Sequence, residues 1–294
     1  MKRGTHFIVT GLIFGASLMA RGQELVQKEI VYKTIDGVSL KADLFYVTGD
    51  QDGKSHPAIA FFHGGGWSGG SPSEFHEACI RYARKGFITF SFHYRLSVKK
   101  DGSIPHPDIT PVECVKDARS AMRWIRENAD EFHIDPKKIV ACGQSAGGHL
   151  ALSTALIEQV NEATDNLDVS PVPSAIILYS ATANLMEAWA DRLLGDRRQD
   201  IWSISPAHNL KSGLPPTIAF HGEEDCMVPF WTIRFFEMKT KELGNDYELV
   251  PYKGRKHYLG DGDDQYGRYY DEEILERTDA FLTEHGFLEQ GVTL

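Results

Sequence analysis

The sequence has 294 residues and a net charge of −10, with 42% hydrophobic and 24% charged residues. This length and composition are typical of one globular domain near the upper size limit for a single core. The acidic balance argues against binding to nucleic acid or to an anionic membrane surface, because both repel an acidic protein. We therefore expect no nucleic-acid partner, and no membrane span once the N-terminus is processed.

The N-terminus has the pattern of a secretory signal peptide over residues 1–22. Lys2 and Arg3 provide a positive start, residues 7–20 are largely apolar, and Gly22 is a small residue at the cleavage position. The apolar stretch is too short to span a bilayer comfortably. We expect cleavage after Gly22 and a secreted or periplasmic protein; an uncleaved anchor and a buried N-terminal helix are the alternatives.

Strand and helix signals alternate along the rest of the chain, as a mostly parallel sheet requires. An antiparallel pair is predicted first, with strands at 29–35 and 39–47 around Asp36-Gly37. Further strands are predicted at 58–62, 87–92, 138–142, 175–179, 217–220 and 247–250, and helices at 75–85, 114–128, 148–156 and 231–243. A capping box at 110–113 opens the second of these helices. Two insertions, 99–108 and 184–210, interrupt the alternation.

A glycine-rich stretch directly follows the predicted strand 58–62, with the residues HGGGW at 63–67. Consecutive glycines leave backbone N–H groups uncovered, so that several can point at one developing oxyanion. A flexible loop and a phosphate-binding loop are the alternatives, but no Lys-Ser/Thr and no G-x-G-x-x-G spacing follows. We expect the N–H groups of Gly65, Gly66 and Ala146 to form an oxyanion hole.

A second glycine-rich stretch, GQSAGG at 143–148, lies between the predicted strand 138–142 and the helix that follows. A strand that turns directly into a helix strains its apex residue and pushes that side chain out of the edge of the sheet. Ser145 occupies the apex and is the predicted nucleophile. The alternative is a glycine-rich turn with an incidental serine. It is the poorer explanation because both glycine-rich stretches, 63–67 and 143–148, occur in this order and each follows a predicted strand.

The general base is sought among the histidines after the nucleophile, because a triad on this kind of turn follows the order serine, acid, histidine. His149 lies one helical turn past the serine and faces away from it, and His208 precedes every candidate acid. His221 ends a strand and is expected to anchor the next turn, and His285 ends the last helix. His257 remains, in the polar loop after the last predicted strand.

The acid is sought among three carboxylates after the predicted strand 217–220, namely Glu223, Glu224 and Asp225. A short side chain on a tight turn is the most firmly placed, which favours Asp225, with Glu223 as the alternative. The role of this carboxylate would be to orient the imidazole and to stabilise the imidazolium.

Together these motifs resemble those of α/β-hydrolase-fold esterases of the hormone-sensitive-lipase-like and feruloyl- and acetyl-esterase-like group. The residues that carry the resemblance run through most of the chain: residues 63–67, Tyr94, Arg95, Asp117, Trp124, residues 143–148, residues 221–225, Val228, Pro229 and His257. The G-x-x-D pattern of the family falls on Asp225, and the chain departs from many relatives at Gln144, where a smaller residue or Asp is common. The resemblance implies one α/β-hydrolase domain over 23–294, with a mostly parallel central sheet, helices on both faces and a small cap insertion at about 184–210.

The resemblance also implies a serine hydrolase that cleaves short-chain carboxylic esters, with acetyl groups on carbohydrate as the favoured substrate. The implied partner is a small-molecule or oligosaccharide ester, and no cofactor or metal is needed for this chemistry. Alternatives of the same fold are a feruloyl esterase, a general carboxylesterase, an aryl formamidase and an exopeptidase. A non-catalytic binding protein of this fold is an alternative of another class, against which the full set of Ser145, Asp225 and His257 argues.

Four residues are expected to line the substrate pocket: Trp67, Gln144, Trp189 and Trp202. Trp67 and Gln144 adjoin the two glycine motifs, whereas Trp189 and Trp202 lie in the insertion 184–210, where they could cap the site. Packing of the insertion tryptophans on the sheet is the alternative.

The cysteines lack the paired C-x-x-C spacing of a zinc site. We expect all four, Cys79, Cys114, Cys142 and Cys226, to be free thiols in or near the core, although the sequence permits three disulfide pairings.

Overall fold

The computed structural model describes residues 24–48, 54–186, 190–259 and 271–289. Its strands are β1 (Leu25–Ile35), β2 (Val38–Val47), β3 (His56–Phe62), β4 (Ile88–Phe92), β5 (Ile134–Gln144), β6 (Ala175–Tyr179), β7 (Thr217–Gly222) and β8 (Tyr247–Tyr252). They form one sheet in the order β1-β2-β4-β3-β5-β6-β7-β8. The pair β1–β2 is antiparallel and the sheet is mostly parallel, as predicted. The pair β2–β4 is also antiparallel, which the sequence did not predict.

The helices in the described ranges are α1 (His76–Arg84), α2 (Pro111–Glu127), α3 (Ala146–Leu156), α4 (Asp191–Leu194), α5 (Ile201–Ile204), α6 (Phe230–Glu242) and α7 (Glu272–Glu284). Short 3₁₀ turns lie at Pro72–Phe75, Gly195–Asp200 and Pro206–His208. No helix in these ranges combines the length and apolarity needed to cross a bilayer.

Helices cover both faces of the sheet, because successive residues of a buried parallel strand point to opposite sides. In β3, Ala58, Ala60 and Phe62 join a core formed with α2, α3 and α6. Ile59 and Phe61 join a second core on the opposite face, formed with α1 and α7. This layered arrangement confirms the predicted α/β-hydrolase fold.

Local signals in the sequence explain how α2 begins. The Thr110 side chain accepts a hydrogen bond from the Val112 N–H at 3.2 Å, and the Glu113 carboxylate accepts one from the Thr110 N–H at 2.9 Å. These two bonds form the predicted capping box and pair N–H groups that have no partner within the helix.

The strand that leads to the nucleophile begins earlier than predicted, at Ile134 rather than residue 138. Its pairing with β3 shifts register between His56 and Ala58, and Asp135 Oδ1 accepts the Lys137 N–H at 2.9 Å. Asp135 and Pro136, which have the local pattern of a turn, therefore form an irregularity within β5, because the chain resumes pairing immediately afterwards.

The ends of neighbouring parallel strands lie at the same level in the sheet. Gly143 pairs with Phe62 and Leu178, and Gly222 pairs with Tyr252. The loops that follow these strands therefore meet along one edge of the sheet, which is where ligands bind in open α/β sheets.

All four cysteines are free thiols, as predicted. Cys79, Cys114 and Cys142 are buried, whereas Cys226 is exposed rather than in or near the core.

Candidate active site

Ser145 lies at the turn between β5 and α3 in a strained conformation, with φ of 53° and ψ of −118°. A residue other than glycine rarely adopts such angles, and the surrounding structure must hold it there. The Ser145 N–H donates to Tyr179 O at 2.9 Å, and its carbonyl accepts the N–H groups of His149 at 3.1 Å and Thr182 at 3.2 Å. These bonds from three segments keep the serine at the apex of the turn.

The turn also requires a glycine two residues after the serine. A Cβ atom at Gly147 would overlap the carbonyl oxygen of Phe62 and lie 2.5 Å from that of His63. Only glycine lets the start of α3 approach the end of β3 this closely. This contact brings the loop 63–67 against the nucleophile turn.

His257 and Asp225 come together from separate loops after β8 and β7. His257 Nδ1 lies 2.8 Å from Asp225 Oδ2, and both residues are buried. Asp225 Oδ1 accepts the N–H groups of Met227 at 2.8 Å and Val228 at 2.9 Å. Glu223, the alternative acid, is exposed.

Asp225 remains ionised in this setting. Burial opposes its ionisation, but hydrogen bonds from His221, His257 and the Val228 N–H outweigh it and hold the pKa of the Asp225 carboxyl well below its usual range. A carboxylate at Oδ2 requires a proton on His257 Nδ1, which leaves the lone pair of the neutral ring on Nε2.

His221 supports the acid as well as the turn that follows it. Its Nε2 lies 2.8 Å from Val228 O, as expected of a turn anchor, and also 3.1 Å from Asp225 Oδ2. The sequence did not predict the contact between His221 and Asp225. Its only signal there is that His221 precedes Asp225 by four residues.

The side chain of Gln144, expected in the substrate pocket, lies against the imidazole. Its Nε2 is 3.2 Å from His257 Nε2, and the residue is buried. The Ser145 hydroxyl has no hydrogen bond to any residue in the described part of the chain. Catalytic hydrogen bonds in a free enzyme are often long and shorten when substrate binds.

The glycine-rich loop is held by Tyr94. The Tyr94 hydroxyl lies 2.9 Å from His63 O and 3.1 Å from Gly64 O, and its ring stacks on that of His63 with centroids 4.3 Å apart. Ala146 is the first residue of α3, so its N–H has no acceptor within the helix and lies at the positive end of the helix dipole. The loop and the helix start together offer backbone donors for an anion.

Trp67 is buried rather than open to a pocket, with 2% of its surface exposed. Its indole N–H donates to His149 Nδ1 at 3.1 Å, and His149 Nε2 lies 2.7 Å from Ile204 O in α5. Burial lowers the pKa of His149 to about 4, so the ring is neutral and can accept the indole N–H. Trp67 therefore ties the glycine-rich loop to the insertion.

The described part of the insertion is anchored on the main domain and carries a groove. Arg197 Nη1 lies 3.0 Å from Glu113 Oε1 at the start of α2. Trp202 is exposed, and Trp189 lies outside the described residues. The groove has a volume of about 350 Å³ and is lined by Leu185, Met186, Asp191, Arg198, Gln199, Ile201 and Trp202.

The arrangement has the parts that acyl transfer requires. An ionised acid orients the imidazole of His257, the imidazole contacts the residue that precedes a serine on a strained turn, and backbone donors lie on the adjoining loop and helix. In the described ranges, no three or more His, Cys, Asp or Glu side chains form a group that could hold a metal ion.

Comparisons with known proteins agree with this chemistry. A family model described as BD-FAE matches residues 43–239. The chain is 28% identical over 254 residues to the isoprenylcysteine alpha-carbonyl methylesterase ICME of Arabidopsis thaliana, a match that covers 79% of this chain and 56% of that protein. It is 25% identical to esterase LipC of Mycobacterium tuberculosis, over 72% of this chain and 56% of that protein. The chain thus spans little more than half the length of these curated relatives.

A solved structure matches over nearly its whole length. The apo form of Thermogutta terrifontis esterase 2 is 37% identical, with a TM-score of 0.79, and the match covers 89% of this chain and 96% of that one. The same enzyme has also been solved phosphorylated by paraoxon, with propionate bound and with butyrate bound.

Proposed function

The chain belongs to the BD-FAE family of α/β-hydrolase esterases, and from that premise we propose that it hydrolyses short-chain carboxylic esters with Ser145, His257 and Asp225 as its catalytic triad. The observation that carries the proposal is the 2.8 Å contact between His257 Nδ1 and Asp225 Oδ2, next to the strained serine turn. The contact orients the imidazole of His257 as the general base that a serine nucleophile needs.

The reaction proceeds in two steps. Ser145 Oγ attacks the ester carbonyl while His257 Nε2 takes its proton, and a tetrahedral oxyanion forms. The imidazolium then protonates the leaving alcohol as the bond from the carbonyl carbon to the alcohol oxygen breaks, which leaves an acyl-enzyme. Water attacks this ester with His257 again as the base. The imidazolium then protonates Ser145 Oγ as its bond to the acyl carbon breaks, and the carboxylic acid departs.

The oxyanion is stabilised by the backbone N–H groups of Gly65, Gly66 and Ala146. These donors cost no reorganisation during the reaction, because the loop is held by Tyr94 and the helix start by the nucleophile turn. The loss of one such donor typically lowers kcat by about a hundredfold or more.

The substrate is an ester with a short acyl group, most simply acetate, carried on a carbohydrate. Propionate and butyrate bound to Thermogutta terrifontis esterase 2 support the short acyl group. The groove in the insertion supports a sugar alcohol, because Trp202 offers an exposed aromatic ring, and Asp191 and Gln199 add polar side chains nearby. Secretion, which would bring the protein to such substrates, rests on the N-terminal residues, and these lie outside the described ones.

A labelling experiment tests the reaction class. A fluorophosphonate should modify the wild-type protein at Ser145, as read by peptide mass spectrometry, and Ser145→Ala should be neither labelled nor active. An unlabelled wild type would favour a non-catalytic binding protein of this fold.

A substrate panel tests the specificity. It would contain p-nitrophenyl esters of rising chain length, acetylated xylan oligomers, feruloylated arabinose and N-formylkynurenine. We expect a steep fall in kcat/KM beyond butyrate and turnover of the acetylated oligomers; a preference for long acyl chains would reject the proposal, and a preference for one of the other compounds would redirect it.

A further inference from the structure

Gln144 joins the catalytic base to the nucleophile turn. It is the last residue of β5 and directly precedes Ser145, and its side chain is buried. Its Nε2 lies 3.2 Å from His257 Nε2. Because the proton of the neutral imidazole is on Nδ1, facing Asp225, the amide N–H of Gln144 donates to the lone pair on Nε2.

The other end of the same amide rests on the glycine-rich loop. A Cβ atom at Gly64 would overlap Gln144 Oε1, so the amide oxygen occupies space that only glycine leaves free. The amide therefore spans from His257 to the start of the oxyanion loop, with its oxygen toward the loop and its nitrogen toward the base.

We propose that Gln144 is a positioning residue for the catalytic base: its amide holds the neutral imidazole in place and thereby sets the pH below which the enzyme loses activity. This inference rests on the proposed esterase function, since it assigns a role relative to His257 as the base.

The physical reason is that the hydrogen bond exists only with the neutral ring. Protonation of Nε2 replaces its lone pair with a second N–H donor, so the bond from the Gln144 amide is lost. Asp225 has the opposite effect, because its negative charge favours the imidazolium. Gln144 therefore counteracts the acid and keeps His257 neutral at lower pH in the free enzyme. Because Nε2 has a single lone pair, the amide yields it to the Ser145 hydroxyl when substrate binds.

Other ionisable groups of the described residues lie around the imidazole. His221 contacts the same carboxylate oxygen of Asp225 at 3.1 Å, and the Tyr258 ring lies 5.2 Å from the His257 ring. On the loop before the base, Arg255 pairs with Asp271 at 2.8 Å, and Lys256 adjoins His257 in sequence. Gln144 lies within hydrogen-bond distance of Nε2, at 3.2 Å.

The test is the pH dependence of kcat/KM for p-nitrophenyl acetate in the wild type, Gln144→Met and Gln144→Glu. Methionine keeps the length of the side chain but cannot donate, so the acid limb should move to higher pH by about half to one unit. Glutamate brings a carboxylate that favours the imidazolium, so its shift should be larger, about one unit or more.

A second variant disturbs the same contact without changing residue 144. Gly64→Ala places a methyl group where Gln144 Oε1 lies, which forces the amide to move. We expect a shift in the same direction, and no further shift when Gly64→Ala is added to Gln144→Met, because both changes remove one interaction. Gly64→Ala also tests the contact between Gln144 and His257 if Gln144→Met does not fold.

The outcomes separate a positioning role from a purely structural one. If Gln144 only fills space, the variants should lower kcat equally at all pH values and leave the acid limb unmoved, which would overturn the inference. Additive shifts in the double variant would also overturn it. Failure of the proposed function looks different: the wild type would not be labelled by a fluorophosphonate, and Ser145→Ala would keep the wild-type activity.

Discussion

The indole N–H of Trp67 donates to Nδ1 of His149 across 3.1 Å, and this bond joins the glycine-rich loop to the helix that follows the nucleophile. Trp67 has a positive φ of 58°, which is costly for a tryptophan. Because His149 Nε2 in turn contacts Ile204 O, one neutral ring connects the loop, α3 and the insertion. The protonation state of His149 therefore affects three parts of the site.

We expect the protein to lose stability as the pH falls from about 6.5 to about 4. Burial lowers the pKa of both His63 and His149 from 6.5 to about 4, so in this window the unfolded chain binds protons that the folded chain does not. The stabilisation is complete above pH 6.5 and is lost progressively down to about pH 4. For His149 it amounts to about 3 kcal/mol.

Urea unfolding at a series of pH values measures this effect. His149→Gln cannot be protonated, so its stability should depend less on pH between 4 and 6.5 than that of the wild type. The matched control is His133→Gln, at an exposed histidine, which should keep the wild-type slope. Equal slopes for all three proteins would contradict the prediction.

Asp225→Asn should lower kcat by about ten-thousandfold while the fold is retained, because an amide no longer stabilises the imidazolium and favours the wrong tautomer of His257. Glu223→Gln is the control, since this carboxylate is exposed two residues away, and it should keep near wild-type turnover. Steady-state kinetics with p-nitrophenyl acetate and circular dichroism measure both. The opposite ranking of the two variants would assign the acid to Glu223.

Gly147→Ala should disrupt the nucleophile turn, because its Cβ would overlap backbone oxygen atoms that cannot move aside cheaply. We expect a loss of about 3 kcal/mol or more in the free energy of unfolding, and loss of esterase activity. At Gly69 a Cβ would be 3.7 Å from its nearest neighbour, Gly65 O, so Gly69→Ala should change stability by less than about 1 kcal/mol. Thermal and urea unfolding compare the two; equal stability would refute the close approach.

Trp202→Ala should raise KM for acetylated oligosaccharides by about five- to tenfold, because the ring would no longer stack on the sugar. KM for p-nitrophenyl acetate, which has no sugar, should stay the same. Trp231→Ala is the matched control, since Trp231 on α6 is 53% exposed and Trp202 is 54% exposed. If Trp202→Ala changed KM equally for both substrates, or if Trp231→Ala changed KM as much as Trp202→Ala, the groove would have no role in substrate binding.

The strands, their order along the chain and the two glycine-rich turns could be predicted from the sequence, because each depends on residues that are close together in it. In β3, the side chains of Ala58, Ala60 and Phe62 point to one face of the sheet and those of Ile59 and Phe61 to the other. This alternation can be read from a short stretch of sequence. The start of β5 was misplaced for a related reason: Asp135-Pro136 has the local pattern of a turn, whereas pairing with β3 extends the strand across it.

Candidate site residues could be named from the sequence where the backbone itself imposes a residue type. Ser145 stands on a turn that needs Gly147, and Asp225 accepts N–H groups two and three residues ahead of it. The contact of His221 with Asp225, and the burial of Trp67, left no comparable pattern in the sequence.

What the sequence determined by itself is therefore the local chemistry: a strained serine turn, a loop with uncovered backbone donors and a strand pattern that aligns the loops at one edge. Tertiary structure alone decided which side chains meet there. Gln144 and His257 are 113 residues apart, and Trp67 and His149 are 82 apart. Such contacts depend on how separate strands and loops pack, and no short stretch of sequence encodes a distance between residues so far apart along the chain.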